Sequence, residues 1–160
     1  MNISKFIRAF IIGYFAVINA NIVAEPLSDS IGIWERNDDM GNLVERVTNT
    51  AVSDTVLETK IKYFDKGIEI RSAVGGLAEI GNERIATFFF SHGVVANFKQ
   101  LSKSEHSVTY KLTFDNGKEL KTMWTKLAHI TEAGTTKMIQ SIWSDKELTK
   151  HLGDFDFIKK

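Results

Sequence analysis

Apolar and polar residues alternate along most of this chain, and the alternation is interrupted at short intervals by glycine-containing turns. In residues 57–63, Leu57, Thr59, Ile61 and Tyr63 fall on one side while Glu58, Lys60 and Lys62 fall on the other, the period of two that a half-buried strand requires. Asp65, Lys66 and Gly67 follow, with Gly67 suited to the positive φ of a short hairpin loop, and 68–74 alternate again, so 57–74 read as a β-hairpin. Gly75-Gly76 and Gly81-Asn82 punctuate the stretch 77–80, after which 84–90 form a strongly apolar strand containing Phe88, Phe89 and Phe90. Gly93 separates it from a strand over 94–101. A second hairpin pairs 107–114 with 118–127 around Asp115-Asn116-Gly117, a strong turn signal, and 135–143 form a final strand. An opening pair flanks Asp38-Asp39-Met40-Gly41, where the two aspartates shape a turn.

Only 145–152 leave the period of two. Ser144 or Asp145 is placed to cap a helix, Leu148 and Leu152 would share one face, and Gly153 would end it, which predicts one short C-terminal helix. Consecutive hairpins without long crossovers point to a mainly β, antiparallel up-and-down meander of about eight strands, which avoids exposed edges by closing into a barrel. A cone-shaped α+β cyclase fold is the rival, but it wants a substantial early helix that residues 25–60 do not supply.

The first 24 residues have a different texture. Lys5 and Arg8 precede a dense apolar run over 9–18, and Ala24 offers a small residue before a cut, the plan of a cleavable secretory signal. A spanning anchor needs about 20 predominantly apolar residues, and this run is shorter and broken by Asn19 and Asn21. Residues 1–24 are therefore expected to be removed and 25–160 to form a single exported domain, periplasmic or secreted, with no stable membrane insertion after cleavage. Losing two basic residues leaves 18 Lys and Arg against 20 Asp and Glu. The basic footprint of a nucleic-acid binder is missing. The chain has no cysteine, so disulfides, thiol nucleophiles and zinc–thiolate sites are excluded together.

Gly32-Ile33-Trp34, near the start of the expected mature chain, resembles the G-x-W that opens the first strand of lipocalin-like (calycin) barrels of bacterial type. The resemblance spans nearly all of residues 25–160 as a pattern. It implies a closed barrel whose interior accepts a small apolar ligand, and an opening Trp packed beneath a basic residue from the last strand, for which Lys146, just beyond Trp143, is the nearest candidate. An eight-stranded barrel is either filled by side chains or holds one small ligand. Alternation turns Ile61, Tyr63, Ile68, Ile70, Tyr110, Leu112, Trp124 and one parity of 88–90 inward, and the ligand-contacting residues are expected to be Trp34, Tyr63, Phe88, Phe90, Tyr110 and Trp124. The same side chains would equally make a packed core.

Chemistry-bearing motifs are sparse. His92, His106, His129 and His151 have no local metal-site spacing, although convergence of His92 and His129 in space stays open, and no cofactor or metal is expected. There is no G-x-S-x-G and no G-x-G-x-x-G. Among the scattered carboxylates, including Glu45, only Glu79 stands out, because its parity between glycines is hard to assign. No catalytic residue is assigned. The expected function is binding of a small apolar ligand by an exported barrel. One alternative is a cell-envelope interaction module or inhibitor with a filled core, whose protein partner is unknown. Another is a small barrel isomerase or cyclase-like enzyme, which would place a polar residue at the base of a pocket.

Overall fold

The computed structural model describes residues 27–160, so the expected signal and its cut after Ala24 lie outside the described residues. A short 3-10 turn, Leu27–Ser30, leads into ten strands: β1 (Gly32–Asn37), β2 (Leu43–Ser53), β3 (Val56–Asp65), β4 (Ile68–Ile80), β5 (Glu83–Phe90), β6 (Val95–Lys103), β7 (Ser107–Asp115), β8 (Leu120–Glu132), β9 (Thr135–Trp143) and β10 (His151–Lys159). Every strand pairs antiparallel with its neighbour in sequence, and β1 pairs with β10, so the meander closes into a barrel. Trp34 lies opposite Lys159 and Glu35 opposite Ile158 at the seam.

The barrel has ten strands, which corrects the expectation of about eight. Gly75-Gly76 do not separate two strands but lie inside the long β4, and 151–159 add a strand beyond the one expected to be last. The expected C-terminal helix is likewise absent. The Asp145 carboxylate does accept hydrogen bonds from the backbone of Thr149 and Lys150, at 3.1 and 2.6 Å, but it closes a reversing loop. Leu148 adopts φ of 57°, which breaks any helix there, and the chain returns antiparallel to β9. In β10 Phe155 and Phe157 face inward between the outward Asp154 and Asp156. Alternation therefore runs to the end of the chain.

Inward facing follows from the register. Leu112 is opposite Met123 and Tyr110 opposite Thr125, which places Met123, Thr125 and Leu127 inside and leaves Trp124 on the outer surface between Lys111 and Trp143. Ile68 and Ile70 are also outside, about two-thirds exposed, because a bulge opposite Tyr63 and Phe64 shifts the parity of β4 so that Arg71 and Ala73 take the inward positions. Phe88 and Phe90 point inward and Phe89 outward. The densest packing joins Ala73, Ala86, Phe88, Ala96 and Leu112 across β4 to β7, with Phe88 edge-on to Phe98 at 5.3 Å. Gly75 permits this packing. A Cβ there would lie 2.0 Å from the Thr87 carbonyl oxygen and 2.7 Å from the Phe88 ring.

Candidate functional site

The barrel interior is partly empty. Interior width grows with strand number, and eight strands leave only enough space for side chains or one small ligand. Two further strands enlarge it, and here a cavity of about 310 Å³ remains, lined by Leu57, Ile61, Phe88, Phe98, Tyr110, Phe155 and other mainly apolar side chains. That volume is at the lower limit of small-molecule sites, which are likewise mostly apolar with a few placed polar groups.

One end is plugged. Trp34 is fully buried, and its indole Nε1 donates to the Ser30 carbonyl at 2.9 Å, fixing the 3-10 turn across the barrel base. Asn49 Nδ2 donates to the same carbonyl at 2.8 Å, and the Thr59 hydroxyl donates to Asn49 Oδ1 at 2.7 Å. Lys159 lies over the Trp34 ring with Nζ 5.2 Å from the centroid and donates to the Asp29 carbonyl at 3.0 Å. The basic residue over the opening Trp is therefore Lys159 from β10, not Lys146. It escaped the sequence reading because β10 itself did. Gly32 makes the arrangement possible, since its φ is +124° and a Cβ would sit 3.2 Å from Lys159 Cε. Beside this plug, Arg84 is buried and ion-paired at 2.7 Å to Glu79, which Lys103 also contacts at 3.1 Å. Partial burial pushes the Glu79 carboxyl up, but the hydrogen bonds from Arg84 and Lys103 outweigh it and hold the group below the usual carboxylate range.

The other end carries the charged group of the cavity. Arg36 on β1 donates from Nε and Nη2 to Glu45 Oε2 on β2 at 3.1 and 3.0 Å, and the Tyr63 hydroxyl on β3 donates to the same carboxylate. Burial raises the Glu45 carboxyl above its ordinary value despite the opposing pull of Arg36. Burial also pushes the Tyr63 phenol up, and the adjacent Glu45 charge adds to the shift, so Tyr63 is a neutral donor at any physiological pH. Arg71 lies over the Tyr63 ring, 4.2 Å from its centroid, and 5.8 Å from that of Phe90. Tyr63, Phe90 and Phe114 are shared with a second concavity of about 390 Å³ that also includes Arg71, His92, Glu119 and Lys121, a vestibule at the turn end of the barrel.

Of the six residues expected to contact a ligand, Tyr63, Phe88, Phe90 and Tyr110 line the cavity together. Trp34 forms the plug beyond it, and Trp124 is on the outer face. Arg36, Glu45 and Arg71 were missed. The signal for Glu45 was present in its odd-position phase with Val47 and Asn49, but a charged residue at an inward position reads as a break in the pattern. His92 and His129 do not converge, because His92 packs edge-on to Phe90 near the vestibule whereas His129 packs against Trp34 at the plug. Among the described residues no group of three or more His, Asp or Glu is placed to hold a metal ion. No family model matches the chain, and no curated protein matches it.

Proposed function

We propose that this chain is an exported lipocalin-like binding barrel that takes a small, largely apolar ligand into its interior. The observation that carries the reading is the cavity of about 310 Å³, walled mainly by aromatic and aliphatic side chains, with one charged cluster, Arg36, Glu45 and Tyr63, at one end and the neutral Ser30, Asn49 and Thr59 at the other. A core that merely packed itself would forfeit dispersion contacts along every wall of such a void. Tyr63, Phe88, Phe90 and Tyr110 are the proposed contact residues, with Trp34 and Lys159 closing the base in the manner expected of the opening Trp in lipocalin-like barrels. The outward faces carry Lys60, Lys62, Lys99, Lys111 and Lys126 interspersed with exposed Val74, Ile85 and Phe89, a mixed exterior around a mainly apolar interior. That mixture differs from a membrane-spanning barrel, which turns a continuous apolar band to lipid. It agrees with a domain released into an aqueous compartment after removal of residues 1–24.

A second reading rests on Glu45. A carboxyl raised by burial at the polar end of an apolar cavity is the environment in which acid–base groups are tuned, so a small isomerase or cyclase-like activity is the competing assignment. Its proton, however, would have to be exchanged past the Arg36 and Tyr63 hydrogen bonds that occupy the carboxylate. The interaction-module alternative expects a filled interior together with an exposed apolar surface; the cavity speaks against the first, whereas Val74, Ile85 and Phe89 on the outer face fit the second.

Native mass spectrometry of the protein purified from its own host, before and after denaturation and extraction, tests the proposal. A small-molecule adduct lost on unfolding is the expected result. A bare chain accompanied by a stoichiometric protein partner would overturn it in favour of the interaction module.

A further inference from the structure

The charges at the polar end of the cavity do not balance. Arg36 and Glu45 satisfy one another, and Tyr63 spends its proton on the same carboxylate. Arg71, by contrast, reaches Glu45 only through its longer-range charge, because Arg36 holds the direct hydrogen bonds to that carboxylate. Its guanidinium is stacked on the Tyr63 and Phe90 rings at the junction of cavity and vestibule. Stacking on aromatic faces leaves the edge of the guanidinium, with its N–H donors, free to point into the vestibule, and that planar fork matches a carboxylate in a two-point hydrogen bond. The remaining charged groups around the vestibule, Lys121 and Glu119, offset each other, so the surplus charge is the one on Arg71.

We infer that the occupant is an amphiphile with a single acidic group of the carboxylate type, its apolar body in the inner cavity and its acid paired with Arg71 at the junction. This rests on the ligand-binding reading above and goes beyond it by assigning the ligand a charge and an orientation, acid outward. Arg71 itself is exposed, so the pair forms at the mouth of the barrel, where a two-point charge-assisted hydrogen bond fixes the orientation of the acid. Among the described residues that line the inner cavity the one cation, Arg36, is occupied, and the acid therefore cannot reverse its direction without losing its partner.

The test compares decanoate with decanol, equal in chain and different in charge, as displacers of a neutral apolar fluorophore, N-phenyl-1-naphthylamine, at neutral pH and below micelle-forming concentrations. Decanoate should bind at least about tenfold more tightly than decanol. Arg71→Met, with its fold checked by circular dichroism, should bring the ratio of decanoate to decanol affinity down to about one, and Arg71→Lys should restore part of it. Equal binding of decanoate and decanol to the unmodified protein would overturn the inference while leaving the apolar-ligand reading intact. So would a preference that survives in Arg71→Met, or failure of decanoate to displace a bound fluorophore. Absence of fluorophore binding altogether would overturn both.

Discussion

Gly32, Trp34 and Lys159 form a unit in which each residue is fixed by the other two. Gly32 has a backbone conformation that side chains rarely adopt, and the space a Cβ would need is taken by Lys159. Gly32→Ala should therefore cost about 1–3 kcal/mol in chemical denaturation, from backbone strain alone before any loss of the lysine contact. Trp34→Ala removes the largest fully buried side chain and should cost about 3–5 kcal/mol. Lys159→Met keeps the stem over the indole but removes the cation and its hydrogen bond to the Asp29 carbonyl, so its cost should stay at about 1–2 kcal/mol. The first two members of this unit were legible in the sequence as Gly32 and Trp34. The third was not, because nothing local to residue 159 marks it as the partner of a tryptophan at the opposite end of the chain.

Glu79 provides a pH test at the same scale. Its carboxyl titrates below the ordinary value in the folded protein, so the stability it contributes is present above the unfolded value of about 4.3 and is lost as the pH falls through the lower folded value. Unfolding midpoints of the unmodified protein and of Glu79→Gln should differ most near neutral pH and approach each other as the pH is lowered through that window. A gap that widened on acidification would contradict the assigned shift.

Strands follow from alternation, and most of the ten were readable on that basis. Where the reading failed, two apolar parities competed or a strand was masked by a more familiar signal. In β8, Trp124 shares one parity with Leu120 while Met123 and Leu127 share the other, and only pairing with Leu112 and Gln140 decides that the second set is inward. In β4 the bulge opposite Tyr63 and Phe64 turns Ile68 and Ile70 out, a displacement that belongs to two strands together and cannot be read from one. At the C-terminus, the cap-like Asp145 and the leucines at 148 and 152 imitated a helix, and the Asp–Phe alternation of 154–157 went unread. β10 is nevertheless what closes the barrel. Truncation after Gly153 should expose the edges of β1 and β9 and shift the protein towards larger oligomers or aggregate than the full domain forms, visible by size-exclusion chromatography, since unpaired edges template association. Gly75→Val, inside β4, drives a side chain into the Thr87 carbonyl and should cost about 3 kcal/mol, the upper part of the usual range for overpacking.

For the molecule as a whole, the consequence of ten strands is room. Small residues at inward positions, Ala73, Ala86 and Ala96, let Phe88 and Phe98 pack against one side of the barrel and leave the space beside them open. The polar cluster then gives that space a direction, with a sealed base at Trp34 and a charged junction at Arg71. The direct measurement is a fluorescence titration of the purified domain, residues 25–160, with N-phenyl-1-naphthylamine, beside a variant in which Ala86→Leu and Ala96→Leu add bulk where those side chains meet the cavity. Saturable one-to-one enhancement in the unmodified protein, abolished in the filled variant while its circular dichroism spectrum is retained, is the expected result. No enhancement, or equal enhancement in the two proteins, would contradict an internal ligand-binding cavity.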